Sequence, residues 1–514
     1  MPRASSKDKA GTEPAAQPKQ SSPRNPPSAI EEEIELALSY DDVLLVPQRT
    51  SVASRRDVDT STLLSRNISL HIPIVSANMD TVTESTMAIE MARQGGIGII
   101  HRFLTVEVQA AEVQKVKRAE SFVITQPYVI SPDLTIEQAR HEMERRDVSG
   151  LIVVDDQGKL IGLVSARDIR FNRNPDLFVH DVMTPRQKLI TAPADISVEE
   201  AQDLFDKHKV EKLPLVEDGA VAGLITAKDL THVGGSPIAA RDRRGRLLVG
   251  AAIGVTGDVM ERAEALLAVG TDVLVVDVAH GHSDAVIEVV ERLKARWPDV
   301  EVIAGNVATP EGAYDLIEAG VDGVKVGVGP GSTCTTRIVT GAGVPQFSAV
   351  RECAVVCQAA GVPLIADGGI KASGDITKAL AAGASTVMLG GLLAGTDESP
   401  GQTVTRRGQR FKTYRGMASL SASTARRKRE RELSDMAQQE DDEWLSQVVP
   451  EGVEAMVPYR GPVRELLFQL VGGLRSGMSY SNAHNLKELW ANARFRRITP
   501  SGLRESGAHD VVLD

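Results

Sequence analysis

The 514 residues carry 58 basic and 69 acidic side chains, a formal net charge of −11, and the length allows roughly three domains of about 150 residues. Aromatics are 4% of the chain against 44 glycines and a 42% apolar fraction, which excludes a disordered chain, a collagen and a small disulfide-stapled scaffold. The acidic balance offers no general attraction to nucleic acid or to a lipid surface, and three cysteines (Cys334, Cys353, Cys357) are too few for a disulfide framework and point to a reducing cytosol.

Residues 1–33 are rich in Pro, Ser, Lys and Gln and read as a disordered tail, with the ordered chain beginning near Ile34. A run of 18 apolar residues, the length a membrane helix needs, occurs nowhere. From Pro73 onward, short apolar runs recur, each followed by a helical pattern: Ile74 to Ala77, Ile97 to Ile100, Leu248 to Ala251, Val273 to Val276, Val300 to Ile303, Val324 to Gly327, Leu364 to Asp367 and Val387 to Gly390. Continuous apolar runs suit parallel strands buried on both faces. Eight of them, spaced for one crossover helix each, predict an α/β chain folded as a (β/α)₈ TIM barrel.

A long interval separates the second and third runs, and within it the chain repeats itself. Asp133-Leu134-Thr135-Ile136-Glu137 with Gly162-Leu163-Val164-Ser165-Ala166-Arg167-Asp168 returns as Asp195-Ile196-Ser197-Val198-Glu199 with Gly223-Leu224-Ile225-Thr226-Ala227-Lys228-Asp229. Two copies of a β-α-β-β-α unit are too few for a solenoid and predict one small domain of paired repeats. The expected organisation is a barrel over 34–121 and 236–514, including a flap over 418–449, with the repeat domain inserted at 122–235. The pair resembles the tandem CBS motifs of a Bateman module, which implies adenine- or guanine-nucleotide sensing with Ser165, Asp168, Thr226 and Asp229 as contacts. Ser or Thr followed three residues later by an acid is also a capping pattern, and that local role stands beside the nucleotide one.

Barrel active sites lie at the carboxyl ends of the strands. There the sixth run enters Gly327-Val328-Gly329-Pro330-Gly331-Ser332-Thr333-Cys334-Thr335-Thr336-Arg337, where glycines permit close backbone approach to a ligand or ion and Cys334 is a candidate nucleophile. Cys353 and Cys357, four apart among Ala and Val, read as buried small hydrophobes. Runs seven and eight end in Asp367-Gly368-Gly369 and Gly390-Gly391, suited to a phosphate cradle, with Asp367 placed to grip ribose hydroxyls unless it serves as a helix cap. Run four delivers Asp277, suited to a second ribose, followed by His280 and His282, which read better as satisfied loop residues. Run five delivers Asn306. No Gly-x-Gly-x-x-Gly follows a strand and opens a helix, so any NAD(P) must bind on the barrel.

Together with Leu38-Ser39-Tyr40-Asp41-Asp42-Val43-Leu44-Leu45-Val46-Pro47, Ser76-Ala77-Asn78-Met79-Asp80, Tyr414-Arg415-Gly416-Met417 and Val449-Pro450-Glu451-Gly452, these stretches resemble the inosine-5′-monophosphate dehydrogenase / guanosine-5′-monophosphate reductase family over roughly 34–514. The resemblance implies that Cys334 attacks C2 of a purine nucleotide, that hydride leaves for NAD, and that the resulting thioimidate is hydrolysed to xanthosine monophosphate. It places Ser332, Asp367, Gly369, Gly390, Gly391 and Tyr414 on ribose and phosphate, Met417 and Glu451 on the base, and Gly416 among the substrate-binding residues. It puts Asp277, Asn306 and Gly327 on the cofactor side and makes Thr336 with Glu451 a proton relay. It further implies potassium held by carbonyls of Gly329, Gly331 and Cys334 and by Glu505, Ser506 and Gly507 of a neighbouring subunit. The assembly it implies is a cytoplasmic homotetramer, with octamers forming through the nucleotide-bound insert.

The family's two branches run nearly opposite chemistry, and residues here point both ways. The segment between Met417 and Val449 and the terminus through Glu505 favour the dehydrogenase. Asn78, the stretch from Thr340 to Val350 and Gly391, where a phosphate-binding Ser is common, favour the reductase. The flap contains Arg426-Arg427-Lys428-Arg429-Glu430-Arg431-Glu432 but no Arg-Tyr pair, so the base that activates water is not placed; the run also reads as a solvated charged helix. The expected activity is NAD-dependent oxidation of inosine monophosphate, with reduction of guanosine monophosphate second. Two readings of other classes are a flavin barrel, which the Cys334 loop disfavours, and a nucleotide-sensing scaffold without turnover.

Overall fold

The computed structural model describes residues 34–424 and 449–507, apart from 121–122, 125–126, 147, 171–173, 175–176, 228–229 and 231–235. The tail expected over 1–33, the charged run Arg426 to Glu432 and Asp229 lie outside the described residues. Residues 34–37 carry no helix or strand and belong to a unit separate from the one that begins at Leu38.

All eight apolar runs form strands of one closed barrel: β1 (Ile74–Ser76), β2 (Ile97–Ile100), β3 (Val249–Ile253), β4 (Val273–Asp277), β5 (Glu301–Val307), β6 (Gly323–Val326), β7 (Leu364–Asp367) and β8 (Thr386–Leu389). Every neighbouring pair is parallel. The runs are continuously apolar because alternate residues serve two cores. Val273, Val275 and Ile303 fill the barrel interior, while Leu274, Val276 and Val302 pack against the outer helices. A short hairpin, Thr62–Leu63 with Ser69–Leu70, adds Leu64, Ile68 and Leu70 to the interior cluster. It closes the amino-terminal mouth: Asn67 donates to Glu301 at the start of β5, and Thr62 to the carbonyl of Ser385 just before β8. The opposite mouth is left open for a ligand.

Between β2 and β3 the chain builds two four-stranded sheets. The first copy of the repeat shows the expected order, Val129–Ile130, helix Ile136–Arg145, Gly150–Val154, Leu160–Ser165 and helix Ala166–Arg170; the second follows it through Ala192–Pro193, helix Val198–His208, Lys212–Glu217 and Ala220–Thr226. Each long helix opens with a capping box, Thr135 with Gln138 and Ser197 with Glu200, which satisfies two backbone donors reciprocally. Ile152 and Leu160 of one copy share a buried cluster with Leu224 of the other, so the copies pack against each other.

After β8 comes a three-stranded antiparallel sheet, β9 (Thr403–Arg406), β10 (Gln409–Arg415) and β11 (Glu454–Pro458), which the eight-run pattern gave no sign of. Lys412 anchors it: the buried ammonium donates to the carbonyls of Thr396 and Ser399 at 2.8 and 2.6 Å. The long helix Val463–Tyr480 then packs on the helix Ser373–Ala381, and Phe495–Arg497 pairs with Val43–Leu45. Among the described residues, no helix is long and apolar enough to cross a membrane.

Candidate active site

At the carboxyl ends of the strands lies a cleft of about 390 Å³, within the size range of small-molecule sites. Every candidate substrate and cofactor residue lines it: Ser332, Asp367, Gly369, Gly390, Gly391, Tyr414, Gly416 and Met417, together with Asp277, Asn306 and Gly327, and with Cys334, Thr336 and Glu451.

Cys334 is half-buried and its loop is tied to a distant segment by backbone hydrogen bonds. Thr335 N–H donates to the Glu451 carbonyl at 2.9 Å and Val453 N–H to the Thr333 carbonyl at 3.0 Å, so the Cys loop is tied to the segment that carries Glu451 just before β11. The thiol donates to Thr336 Oγ1 at 3.2 Å, and that hydroxyl donates to Glu451 Oε2 at 2.8 Å. A thiol, a hydroxyl and a carboxylate in series form a path along which a nucleophile can shed its proton. By contrast Cys353 and Cys357 are buried; burial holds the first thiol well above the ordinary range and pushes the second up to about 12. No His, Cys, Asp and Glu grouping among the described residues could hold a metal.

The glycines at the end of β8 make room. A Cβ on Gly390 would sit 2.9 Å from Tyr414 Oη, and one on Gly391 3.0 Å from Ser332 Oγ. Any side chain there would fill the space between these two hydroxyls, which lie 3.5 Å apart, and bare backbone beside hydroxyls is what a phosphate requires. Burial raises the Tyr414 phenol above its ordinary range, so it stays a neutral donor. At Gly327 (φ +150°) a Cβ would meet the Asp367 carbonyl at 2.1 Å; only glycine allows β6 and β7 to converge this closely.

Among the described residues Asp367 caps no helix; the nearby helix Ser373–Ala381 has Ala372 as its N-cap. Asp367 Oδ2 accepts from Asn306 at 2.9 Å and from Lys325 at 2.9 Å, and Lys325 also donates to Asp277 Oδ1 at 2.8 Å and to Asn306 Oδ1. Burial pushes the Lys325 ammonium toward neutrality, but the two carboxylates outweigh it and hold the pKa above the ordinary lysine range. His282 pairs with Asp315 at 2.8 Å, the satisfied role expected of it.

Three further residues shape the site without having been singled out in the sequence. Lys325 is one; its signal was a lone charge in an apolar strand. Arg337 clips the Cys loop, donating to the carbonyls of Val328 at 3.2 Å and of Val344. Arg415 pairs with Asp80, Nε to Oδ2 at 3.0 Å, which holds the loop of Asn78 and Met79 against the strand of Tyr414.

In the insert, Asp168 Oδ2 accepts from both the backbone N–H and the hydroxyl of Ser165, each at 2.7 Å, the local capping arrangement. Thr226 ends its strand at the corresponding place.

A family model described as the IMP dehydrogenase / GMP reductase domain matches residues 37–509. The inosine-5′-monophosphate dehydrogenase of Nitrosopumilus maritimus is 54% identical over 482 residues, covering 94% of this chain and 100% of that protein. Those of Aquifex aeolicus and Bacillus subtilis are 52% and 50% identical, over 94% and 93% of this chain and 97% and 96% of their own. Among solved structures, GMP reductase from Trypanosoma brucei in complex with guanosine 5′-monophosphate is similar at a TM-score of 0.76 and 48% identity, covering 93% of this chain and 99% of that one. The same enzyme in complex with guanosine 5′-triphosphate gives 0.65 and 43%, over 91% and 98%.

Proposed function

Since the chain belongs to the IMP dehydrogenase / GMP reductase family, we propose that it acts as the dehydrogenase, oxidising inosine monophosphate to xanthosine monophosphate with NAD. The observation that carries this reading is the Cys334, Thr336 and Glu451 series beside a glycine cradle in one cleft.

C2 of the hypoxanthine ring lies between two nitrogens and is electrophilic. Cys334 Sγ bonds to it, and the thiol proton passes through Thr336 toward Glu451. NAD, held by Asp277, Asn306 and Gly327, would supply the acceptor for the hydride that leaves C2, and a thioimidate would then remain on Cys334. Water then adds to C2, the C–S bond breaks and xanthosine monophosphate departs; the balance is one water consumed and one proton released per hydride transferred. Ser332, Tyr414, Gly390 and Gly391 take the phosphate, Asp367 and Gly369 the ribose, and Met417 and Glu451 the base, with Gly416 next to Met417 lining the same site. Asp277, Asn306 and Gly327 line the cofactor side; the fit is supported by Asp277, whose Oδ2 has no protein partner among the described residues and suits a ribose hydroxyl.

We also propose potassium on the carbonyls of Gly329, Gly331 and Cys334, completed by Glu505, Ser506 and Gly507 of a neighbour in a tetramer. The carbonyls of Gly329 and Cys334 accept no hydrogen bond among the described residues, while that of Gly331 accepts from Cys334 N–H at 3.1 Å and keeps a second lone pair. We assign 122–235 to a CBS-type domain that takes adenine or guanine nucleotides through Ser165, Asp168, Thr226 and Asp229, the barrel to 236–514 and to the stretch before 122 from Leu38 onward, since residues 34–37 fall in the separate unit, and the flap to 418–449. The internal repeat and the guanosine triphosphate complex of the T. brucei relative support it. Three free thiols fit a cytoplasmic setting.

A second reading, reduction of guanosine monophosphate with NADPH, is favoured by Asn78, buried on the cleft wall where the dehydrogenase branch usually has a small residue, and by the flap without an Arg-Tyr pair. Acid quench of protein turning over inosine monophosphate with NAD, followed by peptide mass spectrometry, should find nucleotide attached to Cys334. Turnover without any such adduct would rule out the covalent route.

A further inference from the structure

Lys325 reaches side chains from three strands of the cleft, β4, β5 and β7. It stands on β6 between Val324 and Val326, which pack outward against the helices, so its side chain enters the barrel, where it is 2% exposed. Its three acceptors are Asp277 Oδ1, Asp367 Oδ2 and Asn306 Oδ1. An ammonium has three N–H groups, so all are engaged and none remains for a ligand. Each carboxylate is thereby held by one oxygen, and the others, Asp277 Oδ2 and Asp367 Oδ1, have no protein partner among the described residues. The two carboxylates come from different strands that line the cleft, one at the end of β4 and one at the end of β7.

We infer that Lys325 is a positioning residue that couples the two subsites, a single ammonium orienting both the carboxylate for the substrate ribose and the carboxylate for the cofactor ribose. The inference rests on the assignment of Asp367 to the nucleotide and Asp277 to the dinucleotide. Its physical basis is that two carboxylates converging in a site of low dielectric repel each other, and without the ammonium one of them rotates away. That rotation removes an acceptor that a vicinal diol needs. Neutralising one buried side chain whose three N–H groups all go to protein acceptors therefore disturbs both bindings at once, which loss of a local contact does not do.

The test is steady-state kinetics of Lys325→Met alone and combined with Asp277→Asn or Asp367→Asn, with thermal unfolding of each variant. Lys325→Met is expected to raise KM for the nucleotide and for NAD by about tenfold or more each, with a smaller fall in kcat. In the Asp277→Asn background the same change should add less than about threefold to KM for NAD while keeping its effect on the nucleotide, and the Asp367→Asn background should show the mirror image, because residues in one network do not add. Should Lys325→Met fail to fold, Lys325→Arg keeps the charge while moving it, and the same cycles apply; they should show the same non-additivity with smaller KM changes. Both KM values within twofold of the parent, or effects that add in both double variants while both single aspartate variants are impaired, would overturn the coupling. An Asp277→Asn protein with an unchanged KM for NAD would instead overturn the assignment of Asp277, and the coupling with it.

Discussion

The barrel cleft and the inserted repeat employ the same short polar side chains in opposite ways. In the cleft, partners arrive from far along the chain: Thr336 reaches Glu451 across 115 positions and Asn306 reaches Asp367 across 61. In the insert, Ser165 and Asp168 satisfy each other three positions apart. Long-range pairing fixes one oxygen of each carboxylate and leaves the other facing a cleft, at the cost of ordering several loops. Local pairing closes a helix end and needs no ligand to be complete. The difference separates a site whose geometry is built before a ligand arrives from a region whose polar groups must exchange partners to bind one.

The largest effect that sharpens this contrast is at the nucleophile. Cys334→Ala should lower turnover by at least about 10³-fold with the unfolding temperature nearly unchanged; residual turnover within tenfold would remove Cys334 from the chemistry. Next, Glu451→Gln and Thr336→Ala should each slow the reaction by roughly 10² to 10⁴, and the double variant should be little slower than the worse single one if the series acts as a unit. Full additivity in kcat would break it into independent parts.

In the insert, Asp168→Ala should cost about 1 kcal/mol, the worth of a helix cap, read as faster hydrogen exchange over Gly150–Val154 and Leu160–Ser165. A loss several times larger would mean that Asp168 does more than cap.

The smallest effect is in acid. Glu112, buried, is desolvated, yet Lys115 and the Ser85 N–H and hydroxyl together hold its carboxyl below the ordinary range. Glu142 on the insert is held low by Arg145 and Arg146 at the surface. A depressed folded pKa gives stability that is present above the ordinary value near 4.5 and is lost as pH falls through the folded one. Both regions should therefore weaken below about pH 4.5, the insert's contribution shrinking with added salt and the barrel's much less. Equal salt sensitivity, measured by exchange in each region, would contradict the difference in burial.

The eight strands were legible because a strand buried on both faces must be apolar throughout, and the candidate residues were legible because each stands directly after such a run. The sheet of β9, β10 and β11 was not, since its strands are largely exposed and pair across a long intervening segment. Lys325 was visible only as an irregularity in an apolar strand, because its meaning depends on β4, β5 and β7 converging on it. For Ser165 and Asp168 the sequence supported capping and nucleotide contact alike; the structure has the cap in place, and a ligand would have to displace it or join it.

The central claim is that the Cys334 cleft oxidises inosine monophosphate. Purified protein given inosine monophosphate, NAD and potassium should form NADH and xanthosine monophosphate in equal amounts. No NADH under those conditions, with NADPH consumed and ammonia released from guanosine monophosphate instead, would contradict it.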